Sequence, residues 1–143
     1  MPIRDATPAD IPPMMALAGA SPTAAQWNEE HYRSQTVAHV ALVLEEAGEM
    51  QGFILARTGD EWEIENVVVG ETARRRGVGT QLLNAMLERA AKSRVSAVFL
   101  EVRASNAAAR ALYERCGFRE MGRRPRYYHA PEEDAVLYSR RSP

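Results

Sequence analysis

The sequence predicts an α/β fold, a mixed central β-sheet of about six to seven strands flanked by about four helices. Three observations predict it. Between Val67 and Thr80, a β-branched apolar run gives way to a cationic loop, a Gly77-Val78-Gly79 turn and an apolar-periodic helix. A second strand, apolar on both faces, follows from Val95 to Val102, so strand, helix and strand form a right-handed βαβ unit with a parallel pair. Three segments alternate apolar and polar residues with turns between them, as antiparallel strands do, and the third of them is the first strand of that unit.

Taken in order, Pro2 to Ala6 reads as a short strand. Thr7-Pro8-Ala9-Asp10 starts a helix, with Thr7 at the N-cap and Pro8 at the first helical position. Ile11, Met14, Met15 and Leu17 form its buried face up to Gly19. Ser21-Pro22 breaks the chain, and a second helix over Gln26 to Ser34 carries Trp27 and Tyr32. Strands follow at His39 to Glu46, Gln51 to Arg57 and Glu61 to Val69, with turns at Gly48-Glu49 and Thr58-Gly59-Asp60. In the last of these, Trp62, Ile64, Asn66 and Val68 are expected to share one face, and Val67-Val68-Val69 to be buried on both. The helix from Gly77 to about Lys92 repeats Val78, Leu82, Leu83, Met86, Leu87 and Ala90 at helical spacing. After the Val95–Val102 strand, a short helix from Asn106 to about Cys116 ends at Gly117 as its C-cap. Phe118 to Met121 and Ala135 to Tyr138 read as closing antiparallel strands, joined by an Arg-, Pro- and Tyr-rich loop from Gly122 to Asp134.

Hydrophobic residues make up 45% and charged residues 26% of the 143, a globular composition expected to form one domain over residues 1–143. A single cysteine gives no disulfide framework and no cysteine-based metal site. His31, His39 and His129 are scattered, so no metal is expected. Neither an apolar leader nor a run of about 18 apolar residues occurs, which favours a cytoplasmic protein without membrane contact. The net charge of −1 conceals an asymmetry. Residues 1–66 hold eleven acids and three bases, net −8, and residues 67–143 hold eight acids and fifteen bases, net +7. A basic half suits a polyanionic ligand and an acidic half a cationic amine or basic protein, with ordinary solvated charge as the plainer explanation.

The Gly77-Val78-Gly79 turn lets backbone approach a ligand, and a helix that starts there presents amides and a positive dipole end to phosphate. Arg74, Arg75 and Arg76 add cations beside it. No Lys-Ser/Thr follows the glycine, which excludes a P-loop, and no third glycine stands where a dinucleotide fingerprint needs it. An ordinary loop entering a surface helix is the alternative. The pattern Arg74-x-x-Gly77-x-Gly79 after a strand resembles the acetyl-CoA signature of the GNAT acetyltransferase superfamily. Three further segments resemble its ribosomal-protein-alanine N-acetyltransferases, the RimI-like branch. These are Leu100-Glu101-Val102-Arg103-Ala104-Ser105-Asn106, Ala111-Leu112-Tyr113-Glu114 with Gly117-Phe118, and a tail with Tyr127-Tyr128 and Glu133-Asp134-Ala135. The likeness is densest from about Asn66 to Phe118. It departs from the family pattern at Gly70-Glu71, where Asp-Pro is common, and at Ser93-Arg94, which lacks the usual glycine.

The resemblance implies the GNAT fold, with the parallel pair splayed beyond Val69 and Glu101 so that pantetheine lies between the strands. It implies acetyl-CoA as co-substrate, bound by Val67, Val68 and Val69, by Arg74, Arg75, Arg76, Gly77, Val78, Gly79 and Thr80, and by Asn106. It implies Glu101 as proton acceptor and Tyr113 as general acid. The acceptor it implies is a primary amine, most specifically the N-terminal alanine of a ribosomal protein.

The residues themselves leave alternatives open. Acetyl transfer from a thioester to an amine needs a proton acceptor, donors for the tetrahedral oxyanion and a proton for the leaving thiolate. Glu101 closes an otherwise apolar strand, so partial burial would raise its pKa and make it a base; the alternative is a salt bridge to Arg103. Glu65 on the neighbouring strand is the second candidate base, and Glu63 lies further from the strand end. Asn106 and Tyr113 share a face of the short helix. Asn106 can bond pantetheine or cap the helix, and Tyr113 can protonate the thiolate or pack with Leu112 and Phe118. Cys116 reads as a small buried hydrophobe. The resemblance implies that the helix carrying Trp27 and Tyr32 lines an acceptor groove; the residues themselves read equally well as core. Arg123, Arg124 and Arg126 with Tyr127 and Tyr128 could touch RNA by charge and stacking, against which the net charge of −1 argues; the resemblance, whose tail carries the same tyrosine pair, implies a substrate-groove rim. Acetylation of a small amine or a lysine side chain is a rival within the class. A non-catalytic acyl-CoA sensor is the rival outside it, and the presence of both Glu101 and Tyr113 argues against that.

Overall fold

A computed structural model describes residues 2–21, 24–74 and 76–141. Strand β1 (Ile3–Asp5) leads through a 3-10 turn at Pro8–Asp10 into α1 (Ile11–Gly19). The Asp10 carboxylate accepts from the Thr7 amide at 2.7 Å, which satisfies a donor at the helix entry. Helix α2 spans Glu29–Ala38. The sequence pattern places it three residues earlier, from Gln26. Asn28 decides the start, because its Oδ1 accepts from the His31 amide at 2.8 Å and leaves Trp27 outside the helix.

Strands β2 (Val40–Glu46) and β3 (Glu49–Arg57) form a hairpin closed by Ala47-Gly48, both with positive φ. Strand β4 (Trp62–Val69) pairs with β3, and α3 (Val78–Lys92) then crosses to β5 (Ala97–Arg103). Where the family's usual glycine is missing, Arg94 takes a left-handed φ of 58°. Helix α4 (Ala107–Arg115) ends at Gly117, which adopts φ 92° as expected of a C-cap. Strands β6 (Arg119–Tyr128) and β7 (Glu133–Arg141) complete a seven-stranded sheet in the order β1-β2-β3-β4-β5-β7-β6. Among the described residues only β4 and β5 are parallel neighbours.

The last hairpin corrects the sequence reading. The Gly122–Asp134 segment read as a loop is mostly strand. Irregularities between Glu120 and Gly122 and between Arg124 and Tyr128 hide it, because extra residues break the alternation and accommodate Pro125.

The sheet separates two layers. On one face, Ile11, Met14 and Tyr32 from α1 and α2 cover Val43, Phe53, Leu55 and Val68. On the other, Leu82, Leu83 and Met86 from α3 and Tyr113 from α4 cover Leu44, Ile54, Leu100 and Val136. Strand β4 alternates between buried and half-buried residues as the pattern requires. Its buried residues do not share one face, however. Ala56 pairs with Ile64 and Leu55 with Asn66, so Glu65 is an extra residue, a β-bulge. The bulge reverses the alternation. Trp62 and Ile64 pack on the α3 side, whereas Val68 packs under α1 and α2.

Gly52 marks where α3 presses on β3. A Cβ there would lie 2.7 Å from the Val68 carbonyl oxygen and 3.1 Å from both Leu82 and Val78. Because a backbone atom is the obstacle, Gly52→Ala is expected to destabilise the fold by roughly 2 kcal/mol or more, seen as a lower urea midpoint with an unchanged m-value.

Candidate active site

The parallel ladder between β4 and β5 consists of Trp62–Val98 and Glu63–Phe99. Past those pairs, the bulge at Glu65 turns β4 away, while β5 stays paired with β7 from Ala97 to Arg103. The strands therefore splay, as the family resemblance implies, and backbone groups on the facing edges lose their ladder partners. A cavity of about 540 Å³ opens there. Val67 and Val69 line it from β4, Glu101 and Arg103 from β5, and Leu112 and Tyr113 from α4.

The glycine turn lies behind two of these lining residues, Val69 and Leu112, and Gly77, Val78, Gly79 and Thr80 do not themselves line the cavity. Gly77 takes φ 78°, a left-handed conformation that a glycine adopts without a Cβ penalty. As the N-cap of α3 it offers no side chain to the helix amides. The first intrahelical bond here runs from the Gln81 amide to the Gly77 carbonyl at 3.0 Å, so the amides of Val78, Gly79 and Thr80 precede the helical ladder. The Val78 side chain is buried in the core, leaving only its backbone to meet a ligand. A Cβ on Gly79 would lie 3.2 Å from Leu112 of α4 and 3.7 Å from Val69 of β4. Glycine at this position thus lets α3, α4 and the end of β4 converge. Arg74 lines the cavity. Arg76 instead reaches back to Glu46 on β2 at 3.1 Å, and Arg75 lies outside the described residues. An uncapped helix start, a cation and a splayed strand pair fit a phosphorylated ligand with an extended amide arm.

Asn106 and Tyr113 both face this cavity. Asn106 is the N-cap of α4, its Oδ1 accepting from the Ala109 amide at 3.2 Å. Tyr113 is 8% exposed and packs edge-on to Phe118, so it belongs to the core and lines the cavity at once. Burial raises its phenol pKa well above the ordinary tyrosine value, with the Tyr128 charge adding to the effect, and the group stays a neutral donor.

Glu101 has a 14% exposed side chain and lies 3.4 Å from the Arg124 Nε. The expected alternative, a bond to Arg103, does not form. Arg103 instead contacts Glu133 at 3.3 Å, donates to the carbonyls of His129 and Pro131, and stacks on the Tyr128 ring. Glu133 also accepts from the Ser105 amide, fastening the β6–β7 hairpin to the turn before α4. That clamp spans 28 residues, and nothing in the local pattern announces it. The charge of Glu101, and a hydrogen bond to it, raise the Tyr127 phenol. Burial, with Glu101 next, pushes the Tyr128 phenol up to about 12.

Across the sheet, Ser21, Ala24 and Ala25 close the cavity on the α1–α2 side. Asn66 donates to the Ala25 carbonyl at 3.3 Å. Tyr32 is fully buried against Phe53, and Trp27 is half-buried against it. Cys116 is half-buried at the end of α4. Among the described residues no group of His, Cys, Asp or Glu could hold a metal ion, and no helix is long and apolar enough to cross a membrane.

The model of the acetyltransferase (GNAT) family matches residues 11–118. The chain belongs to this family. Its members transfer acetyl groups from acetyl-CoA to amines, and the chain is an acetyl-CoA-dependent N-acetyltransferase. It is 36% identical over 115 residues to the ribosomal protein bS18-alanine N-acetyltransferase of Escherichia coli, covering 78% of each chain. It is 37% identical over 125 residues to an N-alpha-acetyltransferase of Sulfurisphaera tokodaii, covering 76% of this chain and 71% of that one. The crystal structure of the E. coli ribosomal-protein-S18-alanine N-acetyltransferase superposes with a TM-score of 0.89 at 32% identity, covering 98% of this chain and 92% of that one.

Gly77→Ala forces a Cβ into the left-handed region and is expected to cost about 1 kcal/mol of stability. A compensating main-chain shift at the start of α3 would appear as chemical-shift changes at the Val78 and Gly79 amides in an NMR spectrum.

Proposed function

We propose that this GNAT enzyme acetylates the free α-amine of a protein N-terminus in the cytoplasm, with an N-terminal alanine of a ribosomal protein as its acceptor. The observation that carries the reading is the meeting of Glu101 and Tyr113 at one cavity, walled on the α1–α2 side by Ser21 and Ala25. The kinship with N-terminal alanine acetyltransferases supports the choice of acceptor.

In this reading acetyl-CoA supplies a thioester carbonyl. The amides of Val78, Gly79 and Thr80, with Arg74, Arg75 and Arg76, hold its phosphates, and the free edge of β4 at Val67, Val68 and Val69 holds the pantetheine arm. Asn106 adds a polar contact while capping α4. The amine enters from the α1–α2 side, where Tyr127 and Tyr128 form the rim. Glu101 takes its proton as the new N–C bond forms. A β4 amide donates to the oxyanion of the tetrahedral intermediate. As the C–S bond breaks, Tyr113 gives its proton to the departing sulfur. Burial keeps the phenol in its neutral, O–H-bearing form, so the proton is present at the cavity when the sulfur departs.

Free-thiol release from acetyl-CoA tests the proposal. Peptides beginning with alanine should be turned over. A peptide with a blocked N-terminus and an internal lysine should not, and thiol release only with the lysine peptide or with polyamines would overturn the reading. Tyr113→Phe should lower kcat by roughly 100-fold or more while leaving the acetyl-CoA dissociation constant nearly unchanged. An unchanged kcat would make Tyr113 a core residue only. Glu101→Gln should depress the rate most at neutral pH and least near pH ~9–10, where the amine loses its proton to solvent unaided. A rate deficit independent of pH would assign the proton to another acceptor.

A further inference from the structure

Glu65 differs from the other carboxylates around the site. Glu63 pairs with Arg57, Glu101 with Arg124, and Glu133 with Arg103. Glu65 has no cation partner, and its Oε1 is buried without a hydrogen-bond donor among the described residues. The bulge explains its position. As the extra residue between Ile64 and Asn66, it stands outside the ladder with β3, and it lines the same cavity as Glu101, Tyr128 and Ala25. Glu63, two residues earlier, has its carboxyl raised first by burial, with the charges of Glu65 and Glu101 adding to the effect.

A carboxylate oxygen removed from water without a donor is costly, and it gains most from a charged donor. An α-ammonium offers three N–H donors and a full positive charge. We propose that Glu65 receives the ammonium of the acceptor N-terminus, so that the site selects a free, charged chain end before Glu101 takes its proton. The inference rests on the N-terminal acetyltransferase reading. It assigns Glu65 to substrate binding, with Glu101 kept as the base. It also gives product release a physical cause. Acetylation replaces the ammonium by a neutral amide with one N–H, and the attraction to Glu65 disappears as the reaction completes.

The test compares the wild type with Glu65→Gln and Glu65→Asp. The ligands are an alanine-initiated peptide and the same peptide already N-acetylated. Calorimetry with CoA present, which cannot transfer an acetyl group, gives affinities without turnover. The wild type should prefer the free-amine peptide. Glu65→Gln should weaken that peptide by roughly 10- to 100-fold and leave the acetylated one unchanged, with Glu65→Asp in between. In steady-state assays the acceptor KM should rise by a similar factor, with the acetyl-CoA KM unaltered. Equal weakening of both peptides would reduce Glu65 to a structural role, and unchanged affinity would mean solvent satisfies it; either overturns the proposal. A collapse of kcat at unchanged acceptor KM would make Glu65 the base and overturn it too. If the wild type acetylates amines but no peptide N-terminus, the N-terminal reading fails, and this inference falls with it.

Discussion

The parallel ladder between β4 and β5 holds at two residue pairs and then stops, and the site depends on that interruption. A continuous pair would satisfy its backbone groups internally and leave no space between the strands. Each strand is held from its outer side instead. β4 pairs with β3 from Glu63 to Val69, and β5 pairs with β7 along its whole length. The bulge at Glu65 supplies the divergence. It adds one residue without breaking the pairing to β3, so β4 bends while the core on both faces stays filled. Facing edges are left with open donors and acceptors, the complement of an extended amide-bearing ligand.

Two helices begin at this opening, and their caps give them different roles. Asn106 satisfies the start of α4 from within the chain. Gly77 cannot do so for α3, whose leading amides have no side-chain cap. A glycine is needed there for its left-handed φ, and the same absence of a side chain leaves the helix start open. Gly79 then lets the start of α3 pack closely against Leu112 of α4 and Val69 of β4, both of which line the cavity.

The cavity carries charges of both signs: Arg74 and Arg103 line it together with Glu65 and Glu101. The Glu101–Arg124 pair is more than half exposed on the arginine side, so solvent weakens it and it yields readily to a competing cation. Tyr113 and Tyr128, both raised by burial, line the cavity as neutral phenols. The hairpin that carries Tyr128 is anchored to β5 through Arg103 and Glu133, which fixes the rim relative to Glu101.

The sequence by itself determined the order of strands and helices, the glycine turn, the Asn106 cap and the residues that resemble a GNAT site. These are written in local periodicity and in residue types whose conformational preferences act over a few positions, as Gly77 and Gly117 illustrate. It also placed Glu101 near the end of its strand and Tyr113 on the Asn106 face of the short helix. Only the tertiary structure decided the bulge at Glu65, because a bulge is defined by which residue of β3 faces which residue of β4. The same holds for the full β6–β7 hairpin, where irregular pairing around Met121 and Pro125 erased the alternation that marks a strand. It holds too for Glu101's choice of Arg124 over Arg103 and for the Glu133 clamp. Those partners are far apart in sequence, and the sheet order that joins them is a property of the whole packed chain.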